Sequence, residues 1–205
     1  MTSWTKRIGN VSNVVYSLLN QTVKPDSIEV NLSTEEFSKN DLPDNLISMF
    51  NDGLVQINWV EKNTGVFKKF IPVLQKYYGE DYYLFTVDDD WLYNENYIES
   101  MLTELKDADV YCPQKVIIGN RTLYRSKIFN EEFWLKLTDE VIETGVDDSY
   151  ISYYLIKHKI KQNLVFNQKI KDMIIPFNEV EPLHNYYRQN NRILTAENIS
   201  KKIWA

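Results

Sequence analysis

The sequence has little cysteine, glycine or proline and no long apolar run. Its 205 residues include one cysteine, Cys112, which excludes an internal disulfide or a multi-cysteine zinc site and fits a reducing, cytoplasmic compartment. Six glycines and six prolines exclude collagen-like and low-complexity chains. No apolar stretch approaches the roughly 18 residues of a membrane span, and the first residues lack a signal-peptide core. We therefore predict a chain without a transmembrane segment, and leave peripheral contact with a membrane open.

Positive charge is also scarce. Lys and Arg number 23 against 29 Asp and Glu, so the net charge is −6. No basic run reaches four residues, and a nucleic-acid partner is not expected. Hydrophobic residues make up 43% and charged residues 25%, which is ordinary for a globular protein, but aromatic residues reach 14%. Such an aromatic content fits a core together with a cleft that stacks on flat ligands such as sugars or bases.

Apolar runs that alternate with amphipathic stretches predict one α/β domain, residues 1–205, with a mainly parallel sheet. The predicted strands are 27–33, 54–60, 81–87, 109–113, 162–167 and 171–177. The predicted helices are 10–21, 41–52, 63–79, 97–107, 131–141 and 147–159, followed by a partly helical tail over 185–204. Strand 81–87 is apolar throughout, so we expect it to be an interior strand that is buried on both faces.

Asp88, Asp89 and Asp90 directly follow strand 81–87. Three adjacent carboxylates repel one another and cost stability unless a cation neutralises them. Mg²⁺ and Mn²⁺ prefer such oxygen ligands and keep positions open for phosphate. Ligands of open α/β sheets bind beyond the carboxyl ends of strands, where this triplet falls. The alternative is a solvated acidic turn, or a cap that Asp90 provides for a following helix.

Two other charged pairs stand at predicted helix starts. Asp147 and Asp148 open helix 147–159, where the alternatives are helix capping and catalysis. Lys68 and Lys69 follow Gly65 near the start of helix 63–79. A lysine there can neutralise a phosphate, or the pair can form an ordinary solvated helix face.

Two long segments resemble bacterial glycosyltransferases of the family-two kind, which often belong to capsule or lipopolysaccharide clusters. They read TSWTKRIGNVSNVVYSLLNQTVKPDSIEVNLSTEEF and VFKKFIPVLQKYYGEDYYLFTVDDDWLY. The resemblance runs from Thr2 to about Lys106, with a second block near 119–160. It implies the GT-A fold and transfer of a sugar, with inversion, from a nucleotide-diphosphate sugar to a saccharide or lipid-linked acceptor. It also implies Mn²⁺ or Mg²⁺ as cofactor.

The resemblance assigns roles to individual residues. The acidic triplet corresponds to the DXD motif, with Asp90 as metal ligand, Asp88 at the ribose or the metal, and Asp89 turned toward the sugar. Asp148, or second to it Asp147, becomes the base that accepts the acceptor's proton. His184 matches a late histidine that ligates metal in some GT-A enzymes, although a lone histidine is more often structural or exposed. The remaining implied nucleotide-sugar contacts are Thr2, Ser3, Arg7, Asn31, Ser33 and Lys69.

The sequence departs from these relatives in two places. Relatives carry an apolar strand ahead of the TSW turn, whereas Met1 immediately precedes it here, so we expect a truncated first strand and a weaker nucleotide site. Asn31 stands where many relatives have an acidic residue, so uridine is not specifically implied.

Acceptor contacts and core packing are alternatives for a further set of residues. Gly119, Asn120, Arg121, Leu123 and Tyr124 are candidates for an acceptor loop. The aromatic residues that are candidates for sugar stacking, or for the core, are Trp91, Tyr93 and Trp134.

Two other functions remain open from the sequence. One is a non-catalytic relative that binds a sugar nucleotide without turnover. The other is a phosphatase of the haloacid-dehalogenase type, whose Asp-x-Asp motif matches Asp88 and Asp90. That class has its nucleophile near the N-terminus, which position 88 does not satisfy.

Overall fold

The computed structural model describes residues 1–113, 121–163, 168–176 and 191–205. In these ranges the α-helices are α1 Val11–Leu19, α2 Asp44–Asn51, α3 Ile71–Lys76, α4 Tyr97–Leu105, α5 Glu131–Leu135, α6 Asp139–Glu143, α7 Asp147–Lys157, α8 Gln168–Lys171 and α9 Arg192–Trp204. The strands are β1 Glu29–Ser33, β2 Gln56–Val60, β3 Tyr83–Phe85, β4 Trp91–Tyr93, β5 Val110–Tyr111, β6 Leu123–Arg125, β7 Gln162–Asn163 and β8 Ile174–Pro176.

The fold is mixed α/β, and its strands form three groups. β3, β6, β5 and β7 lie side by side in that order, with β6 antiparallel to both of its neighbours and β7 parallel to β5. β1 and β2 form a parallel pair, and β4 and β8 an antiparallel one. The structure thus agrees only in part with the prediction of a mainly parallel sheet. Among the described residues, β3 is an edge strand of the four-stranded sheet, whereas the sequence predicted an interior strand.

Alternating side chains of the four-stranded sheet enter two hydrophobic cores. Tyr111 and Leu123 pack into a first core with residues of α1, α2 and α4. Val110 and Tyr124 point the other way, into a second core with residues of α3, α5, α6, α7 and α9. Because strand residues alternate between faces, a sheet covered on both sides must carry apolar residues at consecutive positions, as these strands do.

Met1 and Thr2 lie alongside β1. The Met1 amino group donates to the Glu29 carbonyl at 2.8 Å, and the Met1 carbonyl accepts from the Asn31 N–H at 2.9 Å. Thr2 pairs with Asn31 in the parallel sense. This pairing directs the following residues, including Ser3 and Arg7, toward the end of β3.

Several predicted elements differ in the structure. The helix predicted over 63–79 is a 3-10 helix, Gly65–Lys69, and then α3, with Phe70 outside helical geometry. The predicted helix 131–141 divides into α5 and α6. The predicted acceptor loop contains β6, in which Leu123 and Tyr124 are buried core residues. Gly119 and Asn120 lie outside the described residues.

Candidate functional site

Asp88, Asp89 and Asp90 form a turn between β3 and β4, which we call the acidic turn. Asp89 is 2% exposed, and its Oδ2 accepts a hydrogen bond from the Ser3 hydroxyl at 2.6 Å. The Arg7 guanidinium spans two carboxylates, at 2.8 Å from Asp89 Oδ1 and 2.7 Å from Asp90 Oδ2. The structure therefore brings together residues predicted as site residues from the first loop and from the strand end.

Burial dominates the ionisation of the acidic turn. It raises the pKa of Asp89 to about 6, although the Arg7 charge and the Ser3 hydrogen bond act in the opposite direction. Burial also raises the pKa of Asp90, and the charge of Asp88 adds to the effect while Arg7 opposes it. The cations already present thus compensate the turn only partly, and an additional positive charge would stabilise its ionised form.

A second charged cluster lies at the start of α7. Lys69 Nζ is 2.8 Å from Asp147 Oδ2, and both side chains are buried. Burial on its own would lower the pKa of Lys69, but the carboxylates of Asp147, Asp88 and Asp148 outweigh it and raise that pKa. The pKa of Asp148 is raised well above its usual range by burial and then by the neighbouring Asp147.

The acidic turn and this cluster act on one another. The charge of Asp88 contributes to the raised pKa values of both Lys69 and Asp148. Five carboxylates from two distant parts of the chain therefore belong to one electrostatic site, with Arg7 and Lys69 as its cations.

The structure bears on the two helix-capping alternatives that the sequence left open, one for Asp90 and one for the pair Asp147 and Asp148. Asp90 does not cap a helix, because the next element is β4. The N-cap position of α7 is Val146, and Asp147 within the first turn contacts Lys69. Asp147 therefore holds a buried cation rather than serving as a solvated cap.

Asn31 holds three parts of the site together. Its amide donates to the Lys68 carbonyl at 2.8 Å, and its Oδ1 accepts from the Asn58 amide at 2.8 Å. The Thr2 hydroxyl donates to the Asn31 carbonyl at 2.8 Å. These bonds fix the backbone that carries Lys69. Asn58 has no distinguishing signal in the sequence, because it is one polar residue in an alternating strand.

Four other predicted site residues do not contact the carboxylates of the site through their side chains, or lie outside the described residues. Ser33 is buried, and its hydroxyl accepts from the Glu35 N–H at 3.1 Å, which closes the turn after β1. The buried Tyr93 hydroxyl accepts from the Asp88 N–H at 3.1 Å, so it supports the acidic turn. Trp134 packs edge-on against Phe133 beside the second core. His184 lies outside the described residues.

The carboxylates of the acidic turn suit a hard divalent cation if phosphate and water supply its other ligands. Asp89 is occupied by Ser3 and Arg7, and Arg7 also pairs with Oδ2 of Asp90. Asp88 and the second carboxylate oxygen of Asp90 are therefore the candidate ligands. In the described part of the chain no group of three or more His, Cys, Asp or Glu side chains is arranged to hold a metal. Mg²⁺ commonly binds through one or two carboxylates together with substrate phosphates and water. The residues present fit such a shared site.

Comparison with known proteins gives similarity to solved structures but no match of sequence. No protein-family profile and no curated protein matches the chain. A crystal structure of residues 1–349 of S. aureus TarS is similar with a TM-score of 0.46 and 15% sequence identity. The match covers 62% of this chain and 46% of that one, so the chain spans less than half of the TarS structure. None of the described helices is long and apolar enough to cross a membrane.

Proposed function

We propose that the protein is a GT-A glycosyltransferase that moves a sugar from a nucleotide-diphosphate sugar to a saccharide or lipid-linked acceptor. The observation that carries the proposal is the meeting of the acidic turn with Asp147 and Asp148 around one buried lysine, Lys69. Displacement of a diphosphate requires a cation that binds the departing phosphate and a carboxylate that accepts the proton of the attacking hydroxyl. The acidic turn could hold the first, and the carboxylates at the start of α7 could supply the second. The order of sequence motifs that resembles family-two enzymes supports the same function.

In this proposal Asp148 is the catalytic base. Its Oδ1 is buried and has no hydrogen-bond partner among the described residues, so it is free to accept a proton. Burial and then the neighbouring Asp147 raise the pKa of its carboxyl, so Asp148 takes up a proton more readily than an exposed aspartate does. A positive charge bound beside it would favour the ionised form that acts as the base. The acceptor hydroxyl gives its proton to Asp148 while its oxygen bonds to the anomeric carbon. The bond from that carbon to the diphosphate breaks, and its electron pair leaves with the diphosphate oxygen.

In this proposal the other charged residues of the site bind the metal, orient the acidic turn or neutralise a carboxylate. Asp88 and Asp90 would hold Mn²⁺ or Mg²⁺, which when bound supplies positive charge to the departing diphosphate. Arg7 fixes Asp89 and so sets the direction of the turn. Lys69 neutralises the buried Asp147, so that a second carboxylate, Asp148, can lie directly beside it.

Substitution of Asp148 tests the proposal. With a panel of nucleotide sugars, Asp148→Asn should reduce turnover by ~10²–10⁴, the usual contribution of a general base, and leave donor affinity little changed. Asp139→Asn is the matched control, because Asp139 also opens a short helix, α6, but its carboxylate is exposed and pairs with Lys62. Equal turnover in wild type and Asp148→Asn would refute the assignment of the base.

One observation favours a second candidate, a relative that binds sugar nucleotides without turnover. Arg7 and Lys69 already pair with three of the five carboxylates of the site. Donor binding by calorimetry, without transfer or hydrolysis of any nucleotide sugar in the presence of Mn²⁺, would support this candidate over the transferase.

A further inference from the structure

Arg121 is a buried cation without a carboxylate partner in the described part of the chain. The other buried cationic side chains, Arg7, Lys68 and Lys69, each form an ion pair. Arg121 is 9% exposed, and its Nε is buried without a hydrogen-bond partner among the described residues. Its guanidinium lies 4.6 Å from the centre of the Trp91 ring. A buried charge is costly unless it is paired, so this arrangement calls for an anion.

The strand register places Arg121 beside the acidic turn. β6 runs antiparallel to β3, with Leu123 opposite Phe85. The pairing continues with the Thr86 N–H, which donates to the Thr122 carbonyl at 3.0 Å. The next step along the two chains aligns Arg121 with Val87, the residue directly before the acidic turn.

The side chain of Arg121 then reaches the other end of the turn. Its guanidinium stacks on Trp91, the residue directly after Asp90. Burial raises the pKa of Asp90, and the positive charge of Arg121 is among the contributions that oppose this rise. Arg7 and Arg121 therefore flank one turn, but only Arg7 is engaged by the carboxylates of the turn.

We propose that Arg121 binds a phosphate group of the donor's diphosphate at the acidic turn. The proposal deepens the function proposed above and rests on it for the identity of the ligand. A guanidinium presents five N–H donors in a planar fork that matches phosphate oxygens. The contact with the Trp91 ring holds the guanidinium beside the acidic turn. Arg7 cannot take this role without releasing Asp89 or Asp90.

Titration calorimetry with two probes, inorganic pyrophosphate and a set of nucleoside diphosphates, each with Mn²⁺, tests the proposal. Arg121→Gln should weaken both probes by roughly 10- to 100-fold, the usual contribution of hydrogen bonds to a charged group. Arg121→Lys keeps the charge but lacks the fork, and should give an intermediate loss. Arg125→Gln is the matched control, since Arg125 lies in β6, shortly after Arg121 in the chain, is exposed and pairs with Asp81. Its affinities should equal those of the wild type.

Thermal unfolding without ligand separates binding from a structural role. Because Arg121 is buried without an ion pair among the described residues, Arg121→Gln should unfold at the same temperature as the wild type or higher. A lower melting temperature with unchanged pyrophosphate affinity would overturn the proposal. Where Arg121→Gln does not fold, wild-type affinity in Arg121→Lys overturns the assignment of the planar fork.

The two proposals fail in different ways. Pyrophosphate binding that depends on Arg121, without consumption of any nucleotide sugar, would refute the transferase and leave the phosphate site standing. Sugar transfer by Arg121→Gln with wild-type turnover and donor affinity would refute only the role of Arg121. Binding of nucleoside diphosphates but not of pyrophosphate would overturn the assignment of Arg121 to the phosphate group.

Discussion

At the scale of single residues, Asp89 combines deep burial with incomplete neutralisation. Its pKa rises from 3.8 to about 6, chiefly through burial. The folded protein therefore binds more protons at this group than the unfolded chain does between pH 4 and 6, and stability falls as the pH rises through this window. A shift of this size corresponds to roughly 3 kcal/mol, in order of magnitude.

Asp89→Asn should make the decline in stability between about pH 4 and pH 6 shallower, because asparagine does not ionise. Denaturant unfolding at a series of pH values measures this slope. The control is Asp81→Asn, since the exposed Asp81 has its pKa lowered to about 2 by Arg125 and Lys127, so its ionisation is complete below the window. The same slope in Asp89→Asn and wild type would contradict the prediction. Asp148, whose pKa is also raised, retains its own contribution in every variant.

At the scale of elements, one buried ion pair ties the 3-10 helix Gly65–Lys69 to the start of α7. Lys69→Met leaves Asp147 buried without its partner, which typically costs about 3–5 kcal/mol. Urea unfolding at pH 7 should show this loss. The double variant Lys69→Met/Asp147→Leu should lose less than the sum of the single variants, because the unpaired charge is gone.

Lys62→Met is the control for that cycle. The pair of Lys62 with Asp139 is exposed, and such pairs contribute about 0–1 kcal/mol. A loss in Lys69→Met no larger than in Lys62→Met would show that the buried pair does not tie the two helices together.

The sequence predicts elements well where their signals are local. The starts of α4 at Tyr97 and of α7 at Asp147 are confirmed, because helix periodicity and first-turn residues are read within a few positions. β4 and β6 are missed. Each has three residues, and each exists only by pairing with a strand that is distant in sequence. A run this short carries no periodicity of its own.

The same distinction applies to the site. The two acidic segments stand out in the sequence because like charges are adjacent and follow or open a predicted element. Their contacts cannot be read from the sequence, because they join distant residues. The hydrogen bond from Ser3 to Asp89, for example, joins residues 86 positions apart. Arg121 is named from the sequence only within an acceptor loop, and its place beside the acidic turn follows from the register of β6 on β3.

At the scale of the whole molecule, the site concentrates negative charge in a chain that is already acidic. The net charge is −6, and five carboxylates of the site face two paired cations. Arg121 adds a third positive charge, stacked on Trp91. Repulsion among these carboxylates therefore lowers the free energy of unfolding at neutral pH, and ligands that bring positive charge should stabilise the folded chain.

This repulsion gives a prediction for ligand-dependent stability. A nucleoside diphosphate with Mn²⁺, at about 100 times its dissociation constant, adds ~2.7 kcal/mol to the free energy of unfolding. For a chain of this size that is a rise of roughly 5–10 °C in melting temperature, and EDTA should abolish its Mn²⁺-dependent part. Asp90→Asn should remove the Mn²⁺-dependent rise, because it removes one of the two carboxylates proposed to hold the metal. Without ligand, the variant should melt at the wild-type temperature or above, since one like charge is gone.

The control is Asp107→Asn, which removes an exposed carboxylate that pairs with Lys161 and should keep the full Mn²⁺-dependent rise in melting temperature. A full Mn²⁺-dependent rise in Asp90→Asn would show that Asp90 is not a metal ligand.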